Sequence, residues 1–341
     1  MNMPRTVLVT GGLGYIGSHT CVELAAAGYD LAIVDNLSNA RRSVLERIQE
    51  QTAGRSIRFH HADVRDRGAL EAIFSAQPIA AVVHFAGLKA VGTSVREPLL
   101  YYDHNVAGTL ALLQAMAASG VSRFVFSSSA TVYGEPEHLP LTEEHPLRPV
   151  NPYGRTKLIV EHLLTDKAAS DSAFSYAALR YFNPVGAHPS GRMGEDPQGL
   201  PDNLLPFIAR VAVGKLPALR VFGNDYDTRD GTGIRDFVHV MDLARGHVAA
   251  LEYLERKRRS ITANLGTGRG YSVLEAVKGF ERASGRTIPT EIVARRPGDV
   301  AACYADASLA GRELGWQSRL DLDAMCRDAW RWQSQNPDGY P

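Results

Sequence analysis

The chain has 341 residues, is 45% hydrophobic and 22% charged, and balances 37 basic residues against 37 acidic ones. Its length permits one large domain or two intimate ones, and a neutral chain without a basic block gives no electrostatic reason for a nucleic-acid or membrane partner. Cys21, Cys303 and Cys326 form neither a disulfide framework nor a metal-ligand spacing, so no metal is expected, and with no apolar stretch of the ~20 residues that span a bilayer the expected compartment is a reducing cytoplasm.

In the first half, short apolar runs alternate with helical patterns. Val7-Leu8-Val9, Leu31-Ala32-Ile33-Val34, Ala81-Val82-Val83 and Phe124-Val125-Phe126 predict strands buried on both faces. Residues 15–27, 41–52, 66–76, 94–118 and 152–169 predict helices. This alternation predicts an α/β class with a Rossmann-like, doubly wound parallel sheet. From Asn183 to Gly233 the chain is rich in Gly, Pro, Asp and Asn and reads as loops and turns. Helical patterns return at 202–214, 240–256, 272–284 and 321–334, with strand-like pieces near 219–222 and 290–293. Residues 1–180 are expected to form the doubly wound domain and 181–341 a smaller α+β lobe, with some segments returning to the first. His60-His61 reads as a solvated strand end.

Directly after the first strand, Thr10-Gly11-Gly12-Leu13-Gly14-Tyr15-Ile16-Gly17 spaces glycines at 11, 14 and 17. Glycine permits the tight turn and close backbone approach that a pyrophosphate needs, and a following helix N-terminus adds its dipole. A glycine triplet alone is weak; its place between strand and helix gives it meaning. Asp35 closes the second strand, where a carboxylate accepts from adenosine ribose hydroxyls and repels a 2′-phosphate. Arg41 and Arg42 leave NADP open, but their expected place on the exposed start of a helix makes NAD the favoured reading. Asp63, after the third strand, is placed to meet the adenine edge.

Tyr153 and Lys157 stand four apart on one helix face. A lysine ammonium and a positive nicotinamide both favour the phenolate, drawing the tyrosine down from its usual value near 10. The pair then exchanges a proton with a substrate hydroxyl. Ser127-Ser128-Ser129 ends the fifth strand, where ligands bind in doubly wound sheets, and offers a hydroxyl to the reacting oxygen.

At these residues the chain resembles the UDP-glucose 4-epimerase family of the extended short-chain dehydrogenase/reductases. The resemblance rests on Val9-Thr10-Gly11-Gly12, Asp35-Asn36-Leu37, His84 to Gly92, Ser127 to Gly134, Asn151-Pro152-Tyr153-Gly154, Leu179 to Ala187, Gly233 to Val240 and Arg295 to Asp299. It implies that Tyr153 takes the proton of the sugar C4 hydroxyl while hydride passes to NAD. The 4-keto sugar then turns over and is reduced on its other face, interconverting UDP-glucose and UDP-galactose. By the same resemblance Ser129 orients the C4 oxygen and Lys157 tunes Tyr153 and holds the nicotinamide ribose. It assigns to the cofactor Gly11, Gly14, Tyr15, Ile16, Gly17, the run Asp35, Asn36, Leu37, Ser38, Asn39 and Ala40, then Asp63, Val64, Phe85, Ala86, Gly87, Leu88, Lys89, His104 and Phe182. It assigns to the UDP-hexose Lys89, Phe182, Asn183, Asn203, Leu204, Arg220, Val221, Phe222, Arg235, Arg296, Asp299 and Cys303. It also implies a homodimer through the 94–118 and 152–169 helices, with Leu110, Leu113 and Leu163 as seam positions.

Two departures stand out. His104 occupies a place where the family commonly has asparagine. Cys303 replaces a bulky tyrosine of epimerases restricted to unsubstituted hexoses, which implies room for an N-acetyl group and hence for UDP-N-acetylglucosamine and UDP-N-acetylgalactosamine. A 4,6-dehydratase wants an acid–base carboxylate pair after Ser129, and Ala130-Thr131-Val132 supplies none. A UDP-glucuronate epimerase or decarboxylase, or a non-catalytic NAD sensor, are the remaining alternatives.

Overall fold

A computed structural model of the chain describes residues 5–341 except 53, 202 and 297. In β1 (Thr6–Thr10) the side chains of Val7, Leu8 and Val9 are fully buried, as a strand covered on both faces requires. Next come α1 (Tyr15–Ala26), β2 (Asp30–Asp35), α2 (Ser43–Gln51), β3 (Ile57–His61), α3 (Arg67–Ala76) and β4 (Ile79–His84). They lead into α4 (Val91–Arg96), α5 (Pro98–Tyr101), a π-helical turn (Tyr102–Ala107), α6 (Gly108–Ala118), β5 (Arg123–Ser129), α7 (Pro152–Ser170) and β6 (Ser175–Tyr181). The second half supplies β7 (Asn183–Val185), α8 (Leu204–Ala212), β8 (Leu219–Phe222), β9 (Ile234–His239), α9 (Val240–Lys257) and β10 (Ile261–Leu265). It ends with β11 (Gly270–Ser272), α10 (Val273–Ser284), β12 (Thr290–Val293), β13 (Ala302–Cys303) and α11 (Leu322–Gln335).

Seven strands form one parallel sheet in the order β10-β6-β5-β4-β1-β2-β3. The doubly wound sheet is therefore as expected. Residues of α1, α2 and α9 such as Leu24, Ile48 and Leu251 cover one face; Leu70, Leu112 and Val160 of α3, α6 and α7 cover the other. The strand order reverses beside β1, so the crevice where such sheets bind ligands opens between the ends of β1 and β4. In the second half β9 pairs with β7, β11 and β13, and β8 with β12; α8, α10 and α11 close over Ile208, Phe280 and Met325. Among the described residues no helix is long and apolar enough to cross a membrane.

The single helix expected over 94–118 is instead interrupted. Pro98 has no N–H to continue α4, so Glu97 leaves helical geometry (φ −128°) and α5 restarts with Pro98 in its first turn. The π-helical turn then re-aims the chain before α6 begins. Strands β6, β9 and β10 carry no clear apolar pattern, because their apolar residues are interrupted by Arg180, Asp236 and Asn264, all buried and bonded. The helix expected from 202 begins at Leu204, and residue 202 itself lies outside the described residues. His61 is an exposed strand end as read, while His60 lies against Gln77.

Candidate active site

The loop after β1 is closed to side chains. Gly11 has φ +66°, and a Cβ there would stand 2.7 Å from the Ala86 nitrogen, so the turns following β1 and β4 touch. A Cβ on Gly17 would lie 2.2 Å from the Gly11 carbonyl oxygen, and one on Gly14 3.2 Å from the same atom. The turn delivers the chain into α1, whose N-terminus has no side-chain cap and no acid in its first turn. Its first N–H groups, with Tyr15 and Ile16 at their head, remain for an anion. A dinucleotide pyrophosphate fits this cradle.

Beside it, Asp35 accepts from Leu13 N (3.1 Å) and Leu37 N (2.9 Å), and burial pushes its carboxyl up. Leu37 is held at φ +59°, a strained conformation for a branched side chain. Ser38 N donates to Asn36 Oδ1, and Asn36 Nδ2 to Asp63, which fixes the rim that continues through Asn39 and Ala40. The Asp63 carboxylate is also gripped by Arg65, which holds it well below the usual carboxylate range, with Val64 buried alongside. The two arginines weighed against NAD are engaged elsewhere: Arg41 meets Asp196 at 3.3 Å and Arg42 lies 5.6 Å over the Phe59 ring.

The turn Phe85-Ala86-Gly87-Leu88-Lys89 is held by a residue that sequence reasoning passed over. Asn105 donates to Leu88 O (3.0 Å) and Thr156 Oγ1 (3.1 Å) and accepts from Leu88 N (2.7 Å), tying the β4 turn to α7. His104 turns instead to the Leu100 carbonyl, 2.9 Å away. The π-helical turn is what carries Asn105 inward, a register no heptad-like pattern announces.

On α7, Asn151 caps the helix by accepting from Gly154 N, and Pro152 fills its first turn. Tyr153 and Lys157 lie on one face, with Lys157 Nζ 5.8 Å from the tyrosine ring centre and donating to Ser127 O at 2.7 Å. Burial brings the lysine down to about 8, opposed by Glu161. Set against the phenolate-favouring charges expected of Lys157 and a nicotinamide is the removal of Tyr153 from water. Burial dominates and pushes the phenol up to about 12, while its hydrogen bond with Ser129 works against that rise. Ser129 Oγ also accepts from Thr131 N (3.2 Å) and Thr131 Oγ1 (3.0 Å).

The neighbouring serines have structural partners. Ser127 Oγ bonds Tyr181 Oη, and Ser128 Oγ donates to Glu161, itself paired with Arg180 at 2.6 Å. This buried group locks the end of β5 onto α7, so Ser129 and Tyr153 face one cleft. Nothing local in the sequence marks it, since Glu161 and Arg180 meet across 19 residues.

Toward the other end, Asp299 gathers Arg296 (3.1 Å) and Arg235 (3.8 Å), and Arg296 lies 4.6 Å over Phe222. Two guanidinium forks around one carboxylate leave positive charge for a diphosphate. Val221 is buried beneath, whereas Arg220 and Asn183 are exposed. Asn203, before Leu204 at the start of α8, donates to Glu195 rather than capping its own helix. Cys303 sits opposite Arg235 in the β13–β9 register. It packs against the cluster of Val132, Tyr133, Leu141 and Phe182, where burial pushes its thiol up to about 11.

A family model described as GDP-mannose 4,6 dehydratase matches residues 8–329. The chain is 57% identical over 334 residues to UDP-glucose 4-epimerase of Bacillus subtilis, covering 98% of each chain. It is similar to the crystal structure of UDP-glucose-4-epimerase from Stenotrophomonas maltophila with bound NAD and formylated UDP-arabinopyranose (TM-score 0.96, 55% identity, 98% of this chain and 99% of that one). It is also similar to UDP-glucose 4-epimerase from Bifidobacterium longum in complex with NAD+ and UDP (TM-score 0.94, 51% identity, 98% and 100% covered).

Proposed function

The chain belongs to the UDP-glucose 4-epimerase family, and from that premise we propose that Tyr153, Ser129 and Lys157 carry out its NAD-dependent interconversion of UDP-glucose and UDP-galactose. The observation that supports these roles is that Tyr153 bonds the Ser129 hydroxyl and has Lys157 Nζ 5.8 Å from its ring centre, on the helix that Asn105 ties to the β4 turn touching the glycine-lined cradle. The chemistry that NAD supplies when bound is reversible hydride exchange at the sugar C4. Tyr153 Oη removes the C4 hydroxyl proton and later returns it. Ser129 orients the C4 oxygen, and the Lys157 ammonium, held by the Ser127 carbonyl, favours the phenolate. Arg235, Arg296 and Asn203 keep the UDP end anchored while the 4-keto sugar turns over. The reaction has no net redox change, so purified protein should equilibrate UDP-galactose with UDP-glucose without added nucleotide. Failure to do so with NAD restored rules the reading out.

The family model also covers dehydratases, but a dehydratase reading lacks its acid–base pair: Ala130, Thr131 and Val132 hold no carboxylate, and the Thr131 hydroxyl is spent on Ser129. Residues 1–180 serve in this reading as the NAD-binding domain and 181–341 as the substrate lobe, with β10 and α9 lent back to the first. A cytoplasmic setting suits the three free cysteines.

Cys303, in place of a bulky side chain beside the Phe182 cluster, is expected to admit N-acetyl sugars. Cys303→Tyr should abolish turnover of UDP-N-acetylgalactosamine and spare UDP-galactose; equal loss of both refutes the pocket argument. We further propose a homodimer through α4, α5 and α6, which expose the apolar side chains Val95 (62%), Leu99 (81%) and Leu110 (43%). Of the seam positions named, Leu113 is buried in the α3–α6 core and serves packing. Leu99→Glu should halve the mass seen by light scattering; an unchanged mass excludes this face.

A further inference from the structure

We infer that Glu195 and Asp196 form an ionic clasp, reaching from the substrate lobe across both flanks of the phosphate loop, that slows the release of NAD. The inference rests on the NAD-binding reading above. In the sheet β1 lies between β4 and β2, so the phosphate loop is flanked by the segments that follow those two strands. Glu195 Oε1 accepts from Lys89 Nζ at 2.8 Å on the β4 side. Asp196 Oδ2 meets Arg41 Nε at 3.3 Å on the β2 side. Tyr15, at the head of α1 directly after the phosphate loop, donates through its hydroxyl to Gly186 O at 2.7 Å. One short segment thus bridges to the turns on either side of the cradle.

The arm is braced from behind. Trp332 Nε1 donates to the Glu195 carbonyl (3.2 Å), Gly194 N to Tyr340 Oη (3.0 Å) and Tyr340 N to Asp196 Oδ2 (3.0 Å). Asn203 Nδ2 shares Glu195 Oε1 at 3.0 Å, which joins the clasp to the proposed UDP site. Neither carboxylate reaches the Tyr153–Ser129 cleft in any contact seen, so both are positioning residues. A redox-neutral cycle never requires the dinucleotide to leave, and a barrier to its exit costs no turnover.

The carboxylate side chains are 8% and 14% exposed and their cations 52% and 47%. Pairs with half-exposed cations are individually weak and salt-sensitive. Release of NAD from the loaded protein is followed with no sugar present, by an excess of alcohol dehydrogenase and ethanol that turns freed NAD into NADH at 340 nm. Glu195→Gln with Asp196→Asn is expected to speed release about tenfold, and each single change about two- to fourfold. Salt should accelerate release from the wild type, because the Debye length shrinks from about 30 Å at 0.01 M to about 3 Å at 1 M. The double variant should have lost most of that dependence. Asp323→Asn, which breaks the exposed Arg282 pair on α10 and α11, should change nothing. Unchanged release or an undiminished salt response in the double variant overturns the clasp alone. If the double variant fails to fold, release from the wild type that is independent of salt overturns it. A protein unable to take up NAD at all overturns the functional reading as well.

Discussion

Replacing Tyr153 by Phe is expected to lower kcat on UDP-galactose by about 10²–10⁴-fold, the range a positioned general base contributes. The variant keeps the ring, and with it the packing of α7 against the cleft, and removes only the oxygen. Asn151 still caps the helix and Lys157 still bonds the Ser127 carbonyl, so bound NAD and the melting temperature should be close to wild type. The Ser129 hydroxyl loses one partner but keeps two hydrogen bonds from Thr131. The ratio of 260 to 280 nm absorbance reports the cofactor, and a UDP-glucose dehydrogenase-coupled assay reports turnover. Activity above about one tenth of wild type would mean that another group removes the C4 proton.

Gly17→Ala should abolish cofactor binding. The new methyl would stand 2.2 Å from the Gly11 carbonyl oxygen and 2.9 Å from Gly12 Cα, both backbone atoms that cannot swing aside as a side chain would. Relief requires the first turn of α1 to move away from the loop, and that movement opens the cradle whose N–H groups face the pyrophosphate. Overpacking of this kind costs about 1–3 kcal/mol of stability, which a core of this size absorbs. The expected product is folded, free of NAD and inactive. Gly68→Ala is the contrast: its Cβ meets only Asp66 Oδ1 at 3.5 Å within the first turn of α3. An alanine there should leave NAD and activity intact and favour the helix slightly. Retention of stoichiometric NAD by the Gly17 variant would show that the close approach of loop and helix is not what binds the dinucleotide.

What the sequence made legible was set by how local the physics is. The glycine turn, Asp35 and the Tyr153/Lys157 spacing each lie within one strand–turn or helix turn, so periodicity and residue type reveal them. The break at Pro98 was equally local and was overridden by the apolar pattern around it. The Asn105 tether needs a π-helical register that places one amide between β4 and α7. The Glu161–Arg180–Ser128 lock and the Glu195 bridge join residues brought together only by the sheet order. Burial, which residue type does not reveal, opposes Lys157 at the phenol: the neighbouring ammonium favours its ionised form, but removal from water disfavours it more. The positive charge of an oxidised nicotinamide, added to that of Lys157, is what reverses that balance.

That reversal can be titrated directly. The absorbance of tyrosinate at 295 nm, titrated as the difference between wild type and Tyr153→Phe, isolates this one phenol. Without dinucleotide the midpoint should lie near 12, where burial places it. With NAD bound it should fall well below the usual value of about 10, so that the phenolate is populated at working pH. A midpoint that stays near 12 in the loaded protein would contradict the assignment of Tyr153 as the base.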